Sequence, residues 1–183
     1  AATLESKIQE ELEKLNFHNV ELKIQFEELP SFTPNGMDKV EFLISTNPGE
    51  ALKPLSKIAS GGEMSRIMLA LKKIIGEYDG IPTMIFDEID SGISGETASI
   101  VGKALSALSE HRQIIAITHL PQIAACGDHN FRIEKDSDDT GTYTTIVHLS
   151  DEEKVAEIAR LLSGISISDI TIQSAKEMIT MSR

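Results

Sequence analysis

The chain has 183 residues, 40% of them hydrophobic, enough to close one ordinary core or one core with a small appended layer. With 29 Asp and Glu against 17 Lys and Arg, its formal charge is −12, so most of the surface repels phosphate backbones and anionic lipid, which excludes a basic nucleic-acid clamp. The single cysteine, Cys126, excludes an internal disulfide, and no apolar run approaches the roughly 20 residues that span a bilayer; the expectation is one cytoplasmic domain over residues 1–183 that meets no membrane.

Leu4, Ile8, Leu12 and Leu15 recur three or four apart among Glu, Lys and Gln, predicting an amphipathic helix that enters the domain. From Val20 the period changes: Val20, Leu22, Ile24 and Phe26 alternate with charged and polar residues, predicting a strand with one wet face. A second strand is expected from Val40 to Thr46. Pro30, Pro34, Asn35 and Gly36 between the two predict a hairpin with a long loop, and Asn47-Pro48-Gly49 ends the second strand.

A glycine pair opens the next predicted helix, Ser60 to Gly76, which carries Met64, Ile67, Met68, Leu71 and Ile75 on its inner side and is ended by Gly76 and Gly80. Ile81 to Phe86 and Gln113 to Thr118 are short apolar runs of the kind buried on both faces of a parallel sheet. The helix predicted between them, from Ile100 to Leu108, makes 81–118 one strand-helix-strand crossover. Phe131–Lys135 and Tyr143–Leu149 predict a hairpin around the acidic stretch Asp136 to Gly141, which reads as a solvated turn rather than a metal site. Helices from Asp151 to Leu162 and from near Ser168 to Met181 close the chain.

Three constellations carry chemistry. Ser60-Gly61-Gly62-Glu63-Met64-Ser65-Arg66 stands where loop becomes helix, so backbone N–H groups, a hydroxyl and the positive end of the helix dipole face one point. That suits a phosphate, but Ser-Gly-Gly alone reads more readily as a flexible turn capped by Ser60. Thr83-Met84-Ile85-Phe86-Asp87-Glu88 is an apolar strand ending in two acids, as in P-loop NTPases. There Asp87 would hold Mg²⁺ and Glu88 would orient and deprotonate the attacking water, whereas the plain alternative is a cap for the next helix. Ile114 to His119 is a strand ending in an imidazole that can reach a terminal phosphate, or simply in a hydrogen-bonded strand-end histidine.

Taken in order and spacing, the three resemble the ATP-binding-cassette superfamily: Ser60 to Glu63 its signature motif, Asp87-Glu88 its Walker B pair and His119 its switch histidine. The longer strings Ala59 to Arg66, Phe86 to Gly95 and Thr118-His119-Leu120-Pro121-Gln122 resemble the RecN family of bacterial DNA repair proteins, from about Leu4 to Leu162. Ala59 stands where the wider superfamily has Leu, and Ser94 where it has Asp, both as in the RecN family. The resemblance implies an α/β fold, the C-terminal half of an ABC/SMC-type P-loop ATPase head with a mostly parallel sheet core flanked by helices and β-hairpins. It implies Glu88 and His119 as catalytic residues, Ser60, Gly61, Gly62, Glu63 and Asp90 as nucleotide contacts, and Asp87 as the metal ligand.

No G-x-x-x-x-G-K-[ST] string is present; Gly92 to Thr97 comes nearest but has Glu96 where Lys is required. The resemblance therefore implies that ATP and Mg²⁺ bind only with an N-terminal Walker A lobe, and that this chain alone is inactive. Residues 1–16 would be the end of a returning coiled coil or a simple packed helix. The further implied partners are a second head in an ATP-dependent homodimer and DNA held by the full-length, nucleoid-associated protein. Two other readings stay open: a transporter nucleotide-binding domain, and a non-catalytic module that binds a protein through its acidic surface.

Overall fold

The computed structural model describes residues 1–58, 60–138, 141–164 and 166–182, without the side chains of 77–79 and 136–138. Ala59, and Asp139 and Thr140 of the acidic turn, lie outside the described residues. Contacts group the chain into two compact units, Ala1–Ile93 with His111–Ile117 and Ser94–Glu110 with Thr118–Arg183.

The first unit begins with helix α1 (Ala2–Lys14), whose buried Ile8 and Leu12 are the predicted stripe. It docks on strand β1 (Glu21–Thr33) partly through side chains: Glu5 Oε1 accepts the Ile24 N–H at 2.7 Å, and Gln9 Nε2 donates to the Val20 carbonyl at 3.2 Å. Strand β2 (Gly36–Ser45) pairs antiparallel with β1, and the two-residue β3 (Lys53–Pro54) adds to β2. The hairpin has a short tip where a long loop was predicted. The strands run out through Pro30 because the register shifts between Glu28 and Thr33, and a bulge tolerates a residue without an N–H. Thr33 Oγ1 then closes the tip, donating to the Gly36 carbonyl at 2.8 Å and accepting from Asn35 N–H at 3.2 Å.

Helix α2 (Gly61–Asp79) runs past Gly76 and stops only at Gly80, which is left-handed at φ 61°. Gly76 belongs inside because Arg112 reaches it: Nη2 donates to its carbonyl at 2.5 Å, and a Cβ there would lie 2.9 Å from the same nitrogen. Strands β4 (Thr83–Phe86) and β5 (Gln113–Ala116) pair in parallel, Met84 opposite Ile114 and Phe86 opposite Ala116, as the crossover pattern requires. Burial on both faces does not hold: Met84 and Phe86 are buried, whereas Ile85 is 68% exposed and Ile115 and Ile117 are also open. The apolar run marks a sheet face that this chain leaves uncovered.

Glu11 ties α1 to α2, its two carboxylate oxygens each 2.6 Å from an ammonium, Lys14 on one side and Lys73 on the other. Burial raises its pKa, but the hydrogen bonds and charges of the two lysines more than offset this and hold it below the ordinary carboxylate value. A depressed folded-state pKa adds stability above the unfolded value that is lost as pH falls through the folded one. Glu11→Gln is therefore expected to lower stability near pH 7 by about 0.5–1 kcal/mol and to match the parent at acidic pH, as read from urea unfolding at both pH values.

The second unit holds helices α3 (Gly95–Ser109), α4 (Pro121–Cys126), α5 (Asp151–Ser163) and α6 (Asp169–Met181), and the antiparallel hairpin β6 (Phe131–Asp138) with β7 (Gly141–His148). Ala125, Ile158, Ala159 and Ala175 form a core where α4, α5 and α6 meet. Helix α4 was not predicted, although Pro121 at its first turn is the usual start signal. A buried lysine and an amide secure its end: Lys154 Nζ donates to the Gly127 carbonyl, and Asn130 Nδ2 to that of Ala124 at 2.8 Å. Helix α5 opens with a reciprocal cap, Ser150 Oγ accepting from Glu153 N–H and Glu153 accepting from Ser150 N–H. Replacing Ser150 by Ala should cost about 1 kcal/mol in thermal or urea unfolding.

Candidate active site

The acidic strand end and the glycine-rich helix start meet within the first unit. Sequence makes this possible by placing no side chain on α2 where the loop after β4 crosses it. A Cβ on Gly62 would lie 2.6 Å from Ser91 Cβ, 2.8 Å from the Ser91 carbonyl and 2.9 Å from the Glu88 carbonyl oxygen. A Cβ on Gly61 would fall on the Glu88 carboxylate, at Oε2. The predicted cap is real, Ser60 Oγ accepting the Glu63 N–H at 3.3 Å. The carboxylate of Glu88 thus stands at the positive end of α2, which is the anion-favouring position that the sequence assigns to phosphate.

Hydrogen bonds from α2 hold the loop. Ser65 Oγ donates to the Asp87 carbonyl at 2.7 Å, and Arg66 Nη1 donates to the carbonyls of Ser91 at 2.7 Å and Ile89 at 3.4 Å. Asp87 Oδ1 accepts the Glu88 N–H at 2.9 Å, and Ser91 N–H closes a turn onto the Glu88 carbonyl at 3.0 Å. Glu88 itself is left-handed at φ 54°, a conformation that costs a non-glycine residue about 1–3 kcal/mol and persists only where its surroundings enforce it. Asp87 and Glu88 are exposed, so both carboxylates are accessible, whereas Asp90 is 4% exposed.

Arg66 is 7% exposed, and burial pulls its pKa below the ordinary guanidinium value against the charge of Glu63. Nothing in the signature-like string drew attention to it as more than a helix residue, although an arginine amid Ile67, Leu69 and Ala70 is a visible anomaly. His119 belongs to the second unit, two residues beyond Ile117, whose N–H bonds the Phe86 carbonyl at 3.0 Å. It is exposed, and next to it Thr118 Oγ1 accepts the Leu120 N–H at 3.0 Å.

The donor set fits a hydrated Mg²⁺ that takes one or two carboxylates and its remaining ligands from phosphate and water. Among the described residues no three His, Cys, Asp or Glu side chains converge to hold a metal by themselves. No helix among them is long and apolar enough to cross a membrane.

The fold is that of one lobe of an SMC-type ATPase head. A chain solved in work on ATP-driven dimerisation and DNA-stimulated activation of SMC ATPases superposes with TM-score 0.53 and 21% identity, covering 90% of this chain and 94% of that one. The Smc head domain of Pyrococcus yayanosii, with coiled coil and joint, superposes with TM-score 0.59 and 22% identity, covering 88% of this chain and 29% of that one. The chain belongs to the RecN family. It is 42% identical to the DNA repair protein RecN of Vibrio cholerae over 180 residues, 98% of this chain and 32% of the relative. Against RecN of Bacillus subtilis it is 47% identical over 147 residues, 80% of this chain and 26% of that protein. The chain thus spans about a third of the length of the V. cholerae relative and corresponds to its C-terminal portion. No family model matches it.

Proposed function

We propose that this chain is the signature and Walker B lobe of a RecN-type ATPase acting in recombinational repair of DNA double-strand breaks. The observation that carries the reading is the junction of Gly61 and Gly62 with the loop of Asp87 and Glu88: a Cβ at Gly62 would meet the loop backbone, and one at Gly61 would take the space of the Glu88 carboxylate. In the assembled head Ser60, Gly61, Gly62 and Glu63 contact the γ-phosphate of an ATP held by a second head, with Asp90 supporting the same interface. Asp87 provides a carboxylate ligand to Mg²⁺, which neutralises phosphate charge when bound. Glu88 orients the attacking water and accepts its proton, and His119 donates a hydrogen bond toward the transferred phosphate.

The apolar face of Ile85, Ile115 and Ile117 is the surface on which the lobe carrying the Walker A loop packs, and helix α1 is the returning arm of a coiled coil. ATP joins two such heads and hydrolysis releases them, a ligand-driven shift of population. DNA is held by the full-length protein in the nucleoid, since this lobe carries a charge of −12. The experiment is to assay ATP hydrolysis by this chain alone, by the remaining N-terminal segment alone, and by the two co-expressed. Hydrolysis only by the pair supports the reading. Hydrolysis by this chain alone, or by neither the pair nor the full-length protein, refutes it.

A further inference from the structure

Arg66 touches more than the acidic loop. Its guanidinium carbon lies 5.3 Å from the centroid of the Phe17 ring, and Phe17 is 5% exposed. Phe17 is set by the end of α1: its N–H bonds the Leu12 carbonyl at 3.0 Å, and the preceding Asn16 turns the chain with a left-handed φ of 68°. Arg66 Nε is buried without a hydrogen-bond partner. The plane is therefore oriented by the ring on one side and, through Nη1, by the carbonyls of Ile89 and Ser91 on the other. A cation over a desolvated aromatic face is held more firmly than at a surface.

We infer that Phe17 and Arg66 are positioning residues that link the end of α1 to the loop bearing Asp87 and Glu88, so that the placement of α1 sets the turnover of ATP rather than its affinity. The physical route is short. A shift of α1 moves the Phe17 ring, the ring carries the guanidinium, and the guanidinium carries the two carbonyls that fix the loop just after Glu88. Glu88 has little slack, since its left-handed backbone depends on that loop. By linkage, the state of the loop biases α1 to the same degree, which makes the contact a channel between the nucleotide and whatever α1 continues into.

The inference rests on the reading of Glu88 as the base, and the test separates the two. In the full-length protein, Phe17→Leu keeps the site apolar but removes the ring face, Phe17→Tyr keeps the face, and Arg66→Lys keeps the charge but loses the fork. Turnover per ATP-binding molecule should fall about three- to tenfold in Phe17→Leu and in Arg66→Lys, with KM changed by less than about twofold and near-parent turnover in Phe17→Tyr. The double variant should be no worse than the poorer single one, as for residues acting in one chain of contacts. A merely structural role would lower the melting temperature and the yield of ATP-binding protein while leaving turnover per binding molecule unchanged, and that result overturns the inference. So do additive losses in the double variant. Turnover that survives Glu88→Gln in the same protein overturns the reading of Glu88 and this inference with it.

Discussion

Glu88→Gln in the full-length protein is expected to cut ATP turnover by about 10²- to 10⁴-fold while leaving ATP binding and head closure nearly intact. The substitution is nearly isosteric, so it keeps the loop turn and its bond from the Ser91 N–H to the residue 88 carbonyl. It also removes the negative charge facing the first turn of α2. A neutral amide cannot accept the proton of the attacking water, so only the chemical step fails. The loop carbonyls remain bound to Ser65 and Arg66, so the Asp87 carboxylate proposed for the metal keeps its place. Nucleotide affinity measured by equilibrium binding, and dimer formation by light scattering with ATP, should both persist and outlast those of the parent protein. Loss of ATP binding in this variant would remove Glu88 from the role of base.

Gly61→Ala and Gly62→Ala should both lose turnover but differ in stability, which gives the second large effect. At Gly62 the added methyl meets Ser91 Cβ and two backbone carbonyl oxygens, none of which is the loose end of a side chain. Gly62→Ala must therefore push the loop off α2. Overpacking of about 1–3 kcal/mol outweighs the gain of up to about 1 kcal/mol from replacing glycine in a helix. The melting temperature should drop by about 3–8 °C, with turnover lost as Glu88 shifts. At Gly61 the methyl meets only the carboxylate end of Glu88, which can rotate away. Gly61→Ala should leave the melting temperature within about 2 °C of the parent yet lower turnover by an order of magnitude or more, because the carboxylate and an approaching phosphate both need that space. Equal losses of stability in the two variants would contradict the geometry.

Much of the fold was legible in the sequence. The amphipathic stripe of α1, the alternation of β1 and the parallel pairing of β4 with β5 follow from local periodicity, and each is found where its residues put it. The misplacements share a cause. Pro30 and Gly76 are local stop signals, and each was overridden by a distant partner: the register shift against β2 for one, the Arg112 side chain for the other. Both-face burial of β4 and β5 was inferred from their apolar runs, yet Ile85 remains open, since composition records the need for cover without supplying it.

The sequence by itself determined the family, the order of the chemical groups and the missing phosphate loop, because those depend on which residues follow which along the chain. Only the tertiary structure decided that Gly62 exists to let Ser91 approach, that Glu88 is held left-handed, and that Arg66 lies between Phe17 and the loop carbonyls. They rest on contacts between residues far apart in the chain, such as Arg66 with Ile89 and Ser91, 23 and 25 positions away. No local propensity encodes them; they arise where α1 meets α2 and α2 meets the loop after β4.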